Sequence, residues 1–418
     1  MISQKLQSVR GTKDLFGEEI DKFNHVIKIA KEVSQNYCFQ ELQTPIFEFS
    51  EIFERNLGED SDILTKEVYK FKDRSDNFLT LRPEFTAAIV RSFVANGELS
   101  QVLPRKLFSY GPLFRYDRPQ RGRQRQFHQI NYEIFGGDNF YCDVEIVIMA
   151  QEITQKLAID NNLDLKISHL GCQETKKQFA LALQDYFCKY EQDLSDDSKM
   201  RLNKNPLRIL DSKSEQDIKL FFDAPKIEKF YSKETKENFD DITNLLQKLG
   251  VKYHIESNLV RGLDYYTGLV FEFINDHQGA QNTVLAGGRY NNLVENMSGR
   301  AVSAIGFAAG VERLMLMLDF KNQEARPIII NYVSQEDKFF AFELVTKLRD
   351  KGFSVDFNFA GNFKRQMKKL SQKNYQFLII IGENEIKNKE LLIKNLDSGF
   401  EEKVKIDNLT NFFAKSYK

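Results

Sequence analysis

FRYDRPQRGRQRQFHQINYEIFG, residues Phe114–Gly136, is the stretch on which the reading of the whole chain turns. Segments on either side of its polar middle alternate apolar and polar residues at the period of a strand. Five arginines crowd into it: Arg115, Arg118, Arg121, Arg123 and Arg125, with Phe127 and Tyr132 close by. The pattern predicts a two-strand hairpin that grips a polyanion. Arginine on a rigid strand suits bidentate phosphate contacts, arginine on a loop reaches further, and an aromatic ring stacks on a base. A basic surface hairpin with no ligand fits the same residues equally well, so the decision rests on what surrounds it.

The chain has 418 residues, 42% of them hydrophobic and 28% charged, with a formal net charge of −1. That length suggests two or three domains, and the composition is that of a soluble globular protein. No run approaches the ~18 uninterrupted apolar residues of a membrane span, and the start, MISQKLQSVRGTKD, carries no apolar signal core. Cys38, Cys142, Cys172 and Cys188 are scattered without a CxxC pair, so neither a zinc site nor a disulfide framework is expected. A reduced, cytoplasmic protein without membrane contact is the expectation. Charge is uneven: Arg326 to Lys418 holds 17 Lys and Arg against 12 Asp and Glu, a net of +5 that leaves −6 for the remainder. A basic terminal domain on an acidic body is compatible with a polyanionic partner.

Between Gly17 and Tyr37, Ile20, Phe23, Val26, Ile27, Ala30 and Val33 recur at helical spacing. Thr44-Pro45 stops any helix and starts the extended IFEF. A second helix is expected over Ala87–Val94, and strands at Lys106–Arg115, Phe127–Phe135, Leu269–Ile274 and Thr283–Ala286. Strands in such succession predict an α+β body, an antiparallel sheet with helices packed on it. From about residue 168 to 257 the texture turns Lys- and Glu-rich with few glycines, which predicts a helical insertion. After the linker-like KNQEARP, IIINYV, a helix from about Glu336 to Lys351, FSVDF, a helix from about Asn362 to Lys373 and FLIIIG alternate. These βα units predict a small α/β domain with a largely parallel sheet, LLIKNL and EEKVKI adding edge strands. The expected domains are therefore residues 1–322 and 326–418.

Four further constellations carry chemistry. LRPEFTAAIVR puts Glu84 and Thr86 at a turn entering a helix, where they can hold an ammonium or simply cap the helix. LVRGLDYYTGLVFEF sets Arg261, Tyr265 and Tyr266 around a tight turn before a strand. LAGGRYNNLVE offers Gly287-Gly288, where backbone approaches a ligand closely, followed by Tyr290. GFAAGVERLMLML reads as a helix with close-approach glycines and Arg313 one turn after Gly310. His128 points away from Phe127 and Gln129 on an alternating strand, so packing is its expected role; the other histidines form no ligand spacing.

Taken together these segments resemble the histidyl-tRNA synthetase family of class II aminoacyl-tRNA synthetases over nearly the whole chain. TPIFEFSEIFERNLGE, the opening stretch and GFAAGVERLMLML are similar to the three class II motifs. LVRGLDYYTG and AGGRYN resemble the two histidine signatures, and NPLRILDSK in the insertion is also similar to the family. The resemblance implies a class II catalytic sheet and a C-terminal α/β anticodon-binding domain. It implies a homodimer joined through the first motif, and a reaction in which L-histidine and ATP give histidyl-adenylate before transfer to tRNA(His).

Site roles follow from the resemblance. Arg115 and Arg261 are the implied catalytic residues, on the α-phosphate and the histidine carboxylate. Arg123 meets the outer phosphates, and Phe127 and Arg313 sandwich the adenine. Glu84, Thr86 and Gln129 hold the α-ammonium, while Glu133 and Tyr266, near Tyr265 and Tyr290, bond the imidazole nitrogens. Arg118, Gln120 and Arg121 are left for the tRNA acceptor end. Magnesium is expected on the ATP phosphates, with no protein metal site. Phe85 and Asn131 depart from the family's usual small residues beside these contacts. A site satisfying both ring nitrogens discriminates without editing, so the insertion is not expected to edit. The rival readings are a synthetase-like regulatory subunit of ATP phosphoribosyltransferase, which lacks the terminal domain, and another class II synthetase of the prolyl or threonyl type.

Overall fold

The computed structural model describes residues 6–54, 67–260, 265–275, 283–320, 326–359 and 375–416. The chain divides into two units, Met1–Phe320 and Lys321–Lys418. In the first unit the strands are β1 (Gln40–Glu41), β2 (Phe47–Phe49), β3 (Tyr69–Lys72), β4 (Phe78–Leu81), β5 (Arg105–Phe114), β6 (Gln126–Phe135), β7 (Asp164–His169), β8 (His254–Ile255), β9 (Thr267–Ile274), β10 (Thr283–Arg289) and β11 (Ala304–Gly310).

The hairpin expected from Phe114–Gly136 is β5 and β6. They pair antiparallel from Arg105↔Phe135 to Phe114↔Gln126, and a Gln120↔Arg123 bridge narrows the loop. They lie within an eight-stranded sheet of order β1-β5-β6-β11-β10-β9-β7-β8. Its centre, β5 through β7, is antiparallel, and only the two-residue strands β1 and β8 add parallel pairs.

Alternation along β6 sends its residues to two different places. Ile130, Tyr132 and Ile134 face a core shared with Val26, Ala30 and Val33 of helix Glu18–Asn36 and with Ile146 and Val147 of helix Phe140–Lys156. Tyr132 is fully buried there, its ring 4.8 Å from both Phe108 and Phe307 and its hydroxyl donating to the Ala30 carbonyl at 2.8 Å. Burying such a ring stabilises by roughly 1.5–3 kcal/mol. The opposite face carries Phe127, Gln129, Asn131 and Glu133, and beyond them Phe135 joins a second core with helix Thr86–Ala95.

One sequence expectation fails here. GFAAG is not the start of a helix: residues Ala304–Gly310 form the central strand β11, and the helix is only Val311–Met315. Arg313 therefore lies in the helix's first turn. The small residues Gly306, Ala308 and Gly310 alternate onto the β6 open face, while Ile305, Phe307 and Ala309 enter the first core. A Gly/Ala-rich run carries neither the helical nor the strand period clearly, which is why its pattern misleads.

The stretch expected to be a helical insertion does hold helices, among them Gln173–Cys188, Asp196–Leu202, Glu215–Leu220 and Lys233–Lys248. Its two ends nevertheless belong to the body. β7 and β8 extend the main sheet, and Phe239, Ile242 and Leu246 bury in the first core. A separate sheet, β2-β4-β3, holds the first motif.

The second unit has its own sheet, β13-β12-β14-β15-β16, from β12 (Ile328–Tyr332), β13 (Val355–Phe357), β14 (Phe377–Ile381), β15 (Glu390–Asn395) and β16 (Glu401–Lys405). β13, β12 and β14 are parallel, as the apolar runs of β12 and β14 predict, and β15 and β16 continue antiparallel. LLIKNL is an interior strand rather than an edge, with Leu391 and Ile393 buried on one side. Helix Lys338–Asp350 covers the sheet through Ala341, Leu344, Val345 and Leu348. The helix expected over Asn362–Lys373 lies outside the described residues.

Candidate active site

A cleft of about 470 Å³ opens on the β6 face that carries Phe127, Gln129, Asn131 and Glu133. Its floor is the small-residue side of β11. Glu84, Thr86, Arg115, Arg123, Tyr265, Tyr266, Tyr290 and Arg313 line it. The fold thus gathers every histidine and ATP candidate from Glu84 to Arg313 that falls in the described residues, while Arg118, Gln120 and Arg121 of the hairpin loop do not line the cleft. Arg261 lies outside them.

Glu133 sits at the inner end, 1% exposed. The Thr86 hydroxyl donates to its Oε1 at 2.7 Å, the Tyr290 hydroxyl to its Oε2 at 2.5 Å, and the Asn131 amide also bonds it. Burial pushes its pKa up to about 7 against these three hydrogen bonds, and the nearby Glu84 charge adds to the rise. Gly306 stands directly opposite Glu133 in the β6–β11 register, and Phe271 and Phe307 crowd Gly287 from behind. Gly287 therefore permits strand packing rather than the ligand approach expected of it.

Glu84 caps the helix, as its sequence position allowed, and faces the cleft. Its carboxylate accepts the backbone N–H of Thr86 at 2.6 Å and of Ala87 at 2.8 Å, capping helix Thr86–Ala95, and it also lines the cleft. Burial raises its pKa, against those two N–H bonds and the Arg115 charge. Thr86 donates its hydroxyl proton to Glu133, which leaves the lone pairs of its oxygen to accept.

Arg115 is half-buried at the end of the β5 segment, where its Nε donates to the Pro83 carbonyl at 2.9 Å and its guanidinium lies 5.3 Å from the Phe127 ring centre. Arg123 Nη1 is held by Asp117 at 2.7 Å on the hairpin loop. Arg313 joins two edges of the cleft, donating from Nε to the Gly122 carbonyl at 3.3 Å and from Nη1 to the Thr283 carbonyl. Tyr265 packs against Tyr266 and Tyr290 at centroid distances of 4.8 and 5.7 Å. Burial holds the phenols of Tyr265 and Tyr290 well above their ordinary pKa, so both remain protonated donors at neutral pH.

His128 is outside this constellation. Its Nδ1 lies 2.8 Å from Glu312 Oε1, its backbone N–H donates to the same carboxylate, and its ring packs edge-on to Phe23 at 5.0 Å. Arg289 of AGGRYN is likewise structural: Nε and Nη2 clasp Asp143 at 2.9 and 2.7 Å and Nη1 donates to the Gly137 carbonyl. Sequence reasoning missed Glu67, Asp117, Asp211, Lys213 and Glu272 on the cleft wall. Of these, only Glu67 lies outside the segments singled out above: Asp117 belongs to the opening stretch, Asp211 and Lys213 to NPLRILDSK and Glu272 to LVRGLDYYTGLVFEF. Among the described residues no group of three or more His, Cys, Asp or Glu side chains is placed to hold a metal ion.

The antiparallel sheet, its arginine hairpin and the separate α/β unit define a class II aminoacyl-tRNA synthetase. A family model described as histidyl-tRNA synthetase matches residues 11–181 and 207–314, and one described as anticodon binding domain matches residues 328–416. The histidine–tRNA ligase of Wolbachia pipientis subsp. Culex pipiens (strain wPip) is 47% identical over 401 residues, which span 96% of this chain and 98% of that protein. The crystal structure of apo S. aureus histidyl-tRNA synthetase superposes with a TM-score of 0.82 at 32% identity, over 98% of this chain and 99% of that one. A Bacillus halodurans ATP phosphoribosyltransferase regulatory subunit/histidyl-tRNA synthetase shares the fold, with a TM-score of 0.67 at 22% identity over 90% of this chain and 98% of that one. The chain belongs to the histidyl-tRNA synthetase family.

Proposed function

We propose that this histidine–tRNA ligase carries out both of its chemical steps in the β6 cleft. A carboxylate oxygen of L-histidine attacks the α-phosphorus of ATP, the bond to pyrophosphate breaks, and histidyl-adenylate forms. A terminal hydroxyl of tRNA(His) then attacks the activated carbonyl and AMP leaves. Neither step needs a protein nucleophile, so catalysis is positioning and neutralisation of phosphate charge.

Arg115 takes the α-phosphate, with Arg261 as its partner on the histidine carboxylate. Arg123 leaves Asp117 for the outer phosphates, and Phe127 and Arg313 enclose the adenine. Magnesium enters on the phosphate oxygens of ATP. Glu84, Thr86 and Gln129 bind the α-ammonium. Glu133 and Tyr266 take the two imidazole nitrogens, with Tyr265 and Tyr290 walling the ring.

The observation that supports this most is the convergence on one cleft of candidates from five separate stretches of sequence. The same residues argue against the catalytically silent regulatory reading, as does the second unit. For tRNA, the exposed Arg118, Gln120 and Arg121 extend the cleft along the hairpin loop, and Phe339 and Phe359 stand 82% and 69% exposed in the second unit as stacking surfaces. A homodimer fits β2-β4-β3, where Phe47, Phe49 and Phe71 present an exposed apolar face. A cytoplasmic location suits a translation enzyme, and among the described residues no helix is long and apolar enough to cross a membrane. The test is charging of tRNA(His) transcript by the purified chain with labelled histidine and ATP. Charging supports the reading; a folded protein that forms no histidyl-tRNA overturns it.

A further inference from the structure

Glu312 lines the cleft, yet its carboxylate is spent on β6, and its side chain is only 12% exposed. Its Oε2 accepts the backbone N–H of His128 at 2.9 Å, its Oε1 shares that N–H at 3.1 Å, and Oε1 lies 2.8 Å from His128 Nδ1. The β6–β11 ladder has its last rung at Gly310↔Gln129, where the chain leaves β11 for helix Val311–Met315. The Glu312 carboxylate thus takes the N–H that the departing strand no longer meets. An ionised acceptor makes a stronger bond than a neutral one, and the imidazole adds a second point of attachment. Phe23 packs edge-on against the same ring at 5.0 Å.

The two members of this pair are chain neighbours of the two residues assigned to the adenine. Phe127 precedes His128, and Arg313 follows Glu312. On the reading of the cleft as an ATP site, on which this inference rests, the Phe127 ring and the Arg313 guanidinium must stand about 7–8 Å apart to receive a flat base between them. An error of about 0.5–1 Å in a stacked contact forfeits roughly a quarter to a half of its dispersion attraction. Phe127 is set by β6, whereas the Arg313 side chain is tied to the Gly122 carbonyl of the hairpin loop and the Thr283 carbonyl of β10. The Glu312–His128 pair joins the backbone beside the one directly to the backbone beside the other.

We infer that Glu312 is a positioning residue for the nucleotide: by holding His128 it fixes the gap between Phe127 and Arg313, and with it the affinity for the adenine base. What matters is the reach of the side chain rather than its charge. The action is confined to the base, since Arg115 and Arg123 answer for the phosphates.

The test uses the full-length chain and the variants Glu312→Gln, Glu312→Asp and Glu312→Ala. Glutamine keeps the length and an acceptor oxygen for the N–H, and its amide can donate to Nδ1 of the other imidazole tautomer. Aspartate keeps the charge but shortens the reach by one methylene. Pyrophosphate exchange gives kcat and the KM values for ATP and histidine, and competition with ATP gives inhibition constants for adenosine and for inorganic tripolyphosphate. Thermal unfolding checks that each variant is folded; should Glu312→Ala not fold, the glutamine and aspartate variants decide alone. Expected are ATP and adenosine affinities about tenfold weaker in Glu312→Asp and Glu312→Ala and near the parent's in Glu312→Gln, with kcat, the KM for histidine and tripolyphosphate inhibition unchanged throughout. An aspartate variant that binds adenosine as the parent does, with or without a weakened glutamine variant, overturns the inference. So does equal weakening of adenosine, tripolyphosphate and histidine. Failure of the parent chain itself to bind ATP or adenosine overturns the reading of the cleft instead.

Discussion

Glu133 and Gly306 face each other across β6 and β11, and the Glu133 carboxylate occupies the space that any side chain on Gly306 would need. A β-carbon there would lie 1.6 Å from Glu133 Oε2 and 2.4 Å from the Tyr132 carbonyl oxygen. The strand that reads most ambiguously in the sequence is thus the one that makes room for the Glu133 carboxylate. Gly306→Ala is expected to destabilise the fold by roughly 1–3 kcal/mol through overpacking. Because Glu133 must move, the KM for histidine should rise roughly tenfold or more while that for ATP changes little. Thermal unfolding and steady-state exchange kinetics check both, and an unchanged KM for histidine contradicts the steric argument.

The pH dependence of stability carries a definite sign. Burial raises the Glu133 pKa from 4.5 to about 7, so folding favours its protonated form. Below pH 4.5 the group is protonated in both states and no penalty exists. Between pH 4.5 and about 7 the unfolded chain ionises first and the folded state loses ground, fully so above pH 7. The stability of Glu133→Gln relative to the parent should therefore improve from pH 5 to pH 8, by as much as about 3 kcal/mol. Denaturant unfolding at the two pH values measures this, and a difference that is flat with pH shows that the carboxyl titrates normally.

Arg115→Lys keeps a positive charge but loses the planar fork that matches phosphate. Its rate of adenylate formation should fall roughly 100-fold, with a much smaller change in ATP affinity. Arg261→His is expected to behave in the same way. Single-turnover activation set against equilibrium ATP binding separates the two effects, and loss of ATP affinity alone contradicts the assigned roles.

Arg289→Met leaves Asp143 buried without its bidentate partner, the two side chains being 9% and 2% exposed. Loss of one member of such a pair costs about 3–5 kcal/mol. The expected outcome is a sharply lowered unfolding midpoint with near-normal KM values in the molecules that remain folded. A stable variant with a raised KM for histidine would move Arg289 into the site.

Deleting Arg326–Lys418 removes the strands and helices of the second unit and leaves the first unit's cores whole. Adenylate formation should persist and tRNA charging should fall. Equal loss of both, in a truncated chain that circular dichroism shows to be folded, contradicts the division of labour.

Much of this was legible in the sequence where a side-chain period and a physical demand coincide. The β5–β6 hairpin follows from alternation, and so does the sorting of Phe127, Gln129 and Glu133 to one face and Ile130, Tyr132 and Ile134 to the other. β11 was not legible, because Gly306, Ala308 and Gly310 are chosen for the space they leave and not for a hydrophobic period. Nor was the bond between Thr86 and Glu133, 47 residues apart, because only the docking of helix Thr86–Ala95 on the sheet creates it. Asp211 and Lys213 reach the cleft by the path of the connecting helices, which local pattern does not encode.

The most direct test of the account is pyrophosphate exchange into ATP by the full-length chain, run with each of the standard amino acids in turn. The account predicts exchange with histidine alone, abolished in Glu133→Ala while ATP binding survives. Exchange driven equally well by another amino acid, or histidine-dependent exchange undiminished in Glu133→Ala, would contradict it.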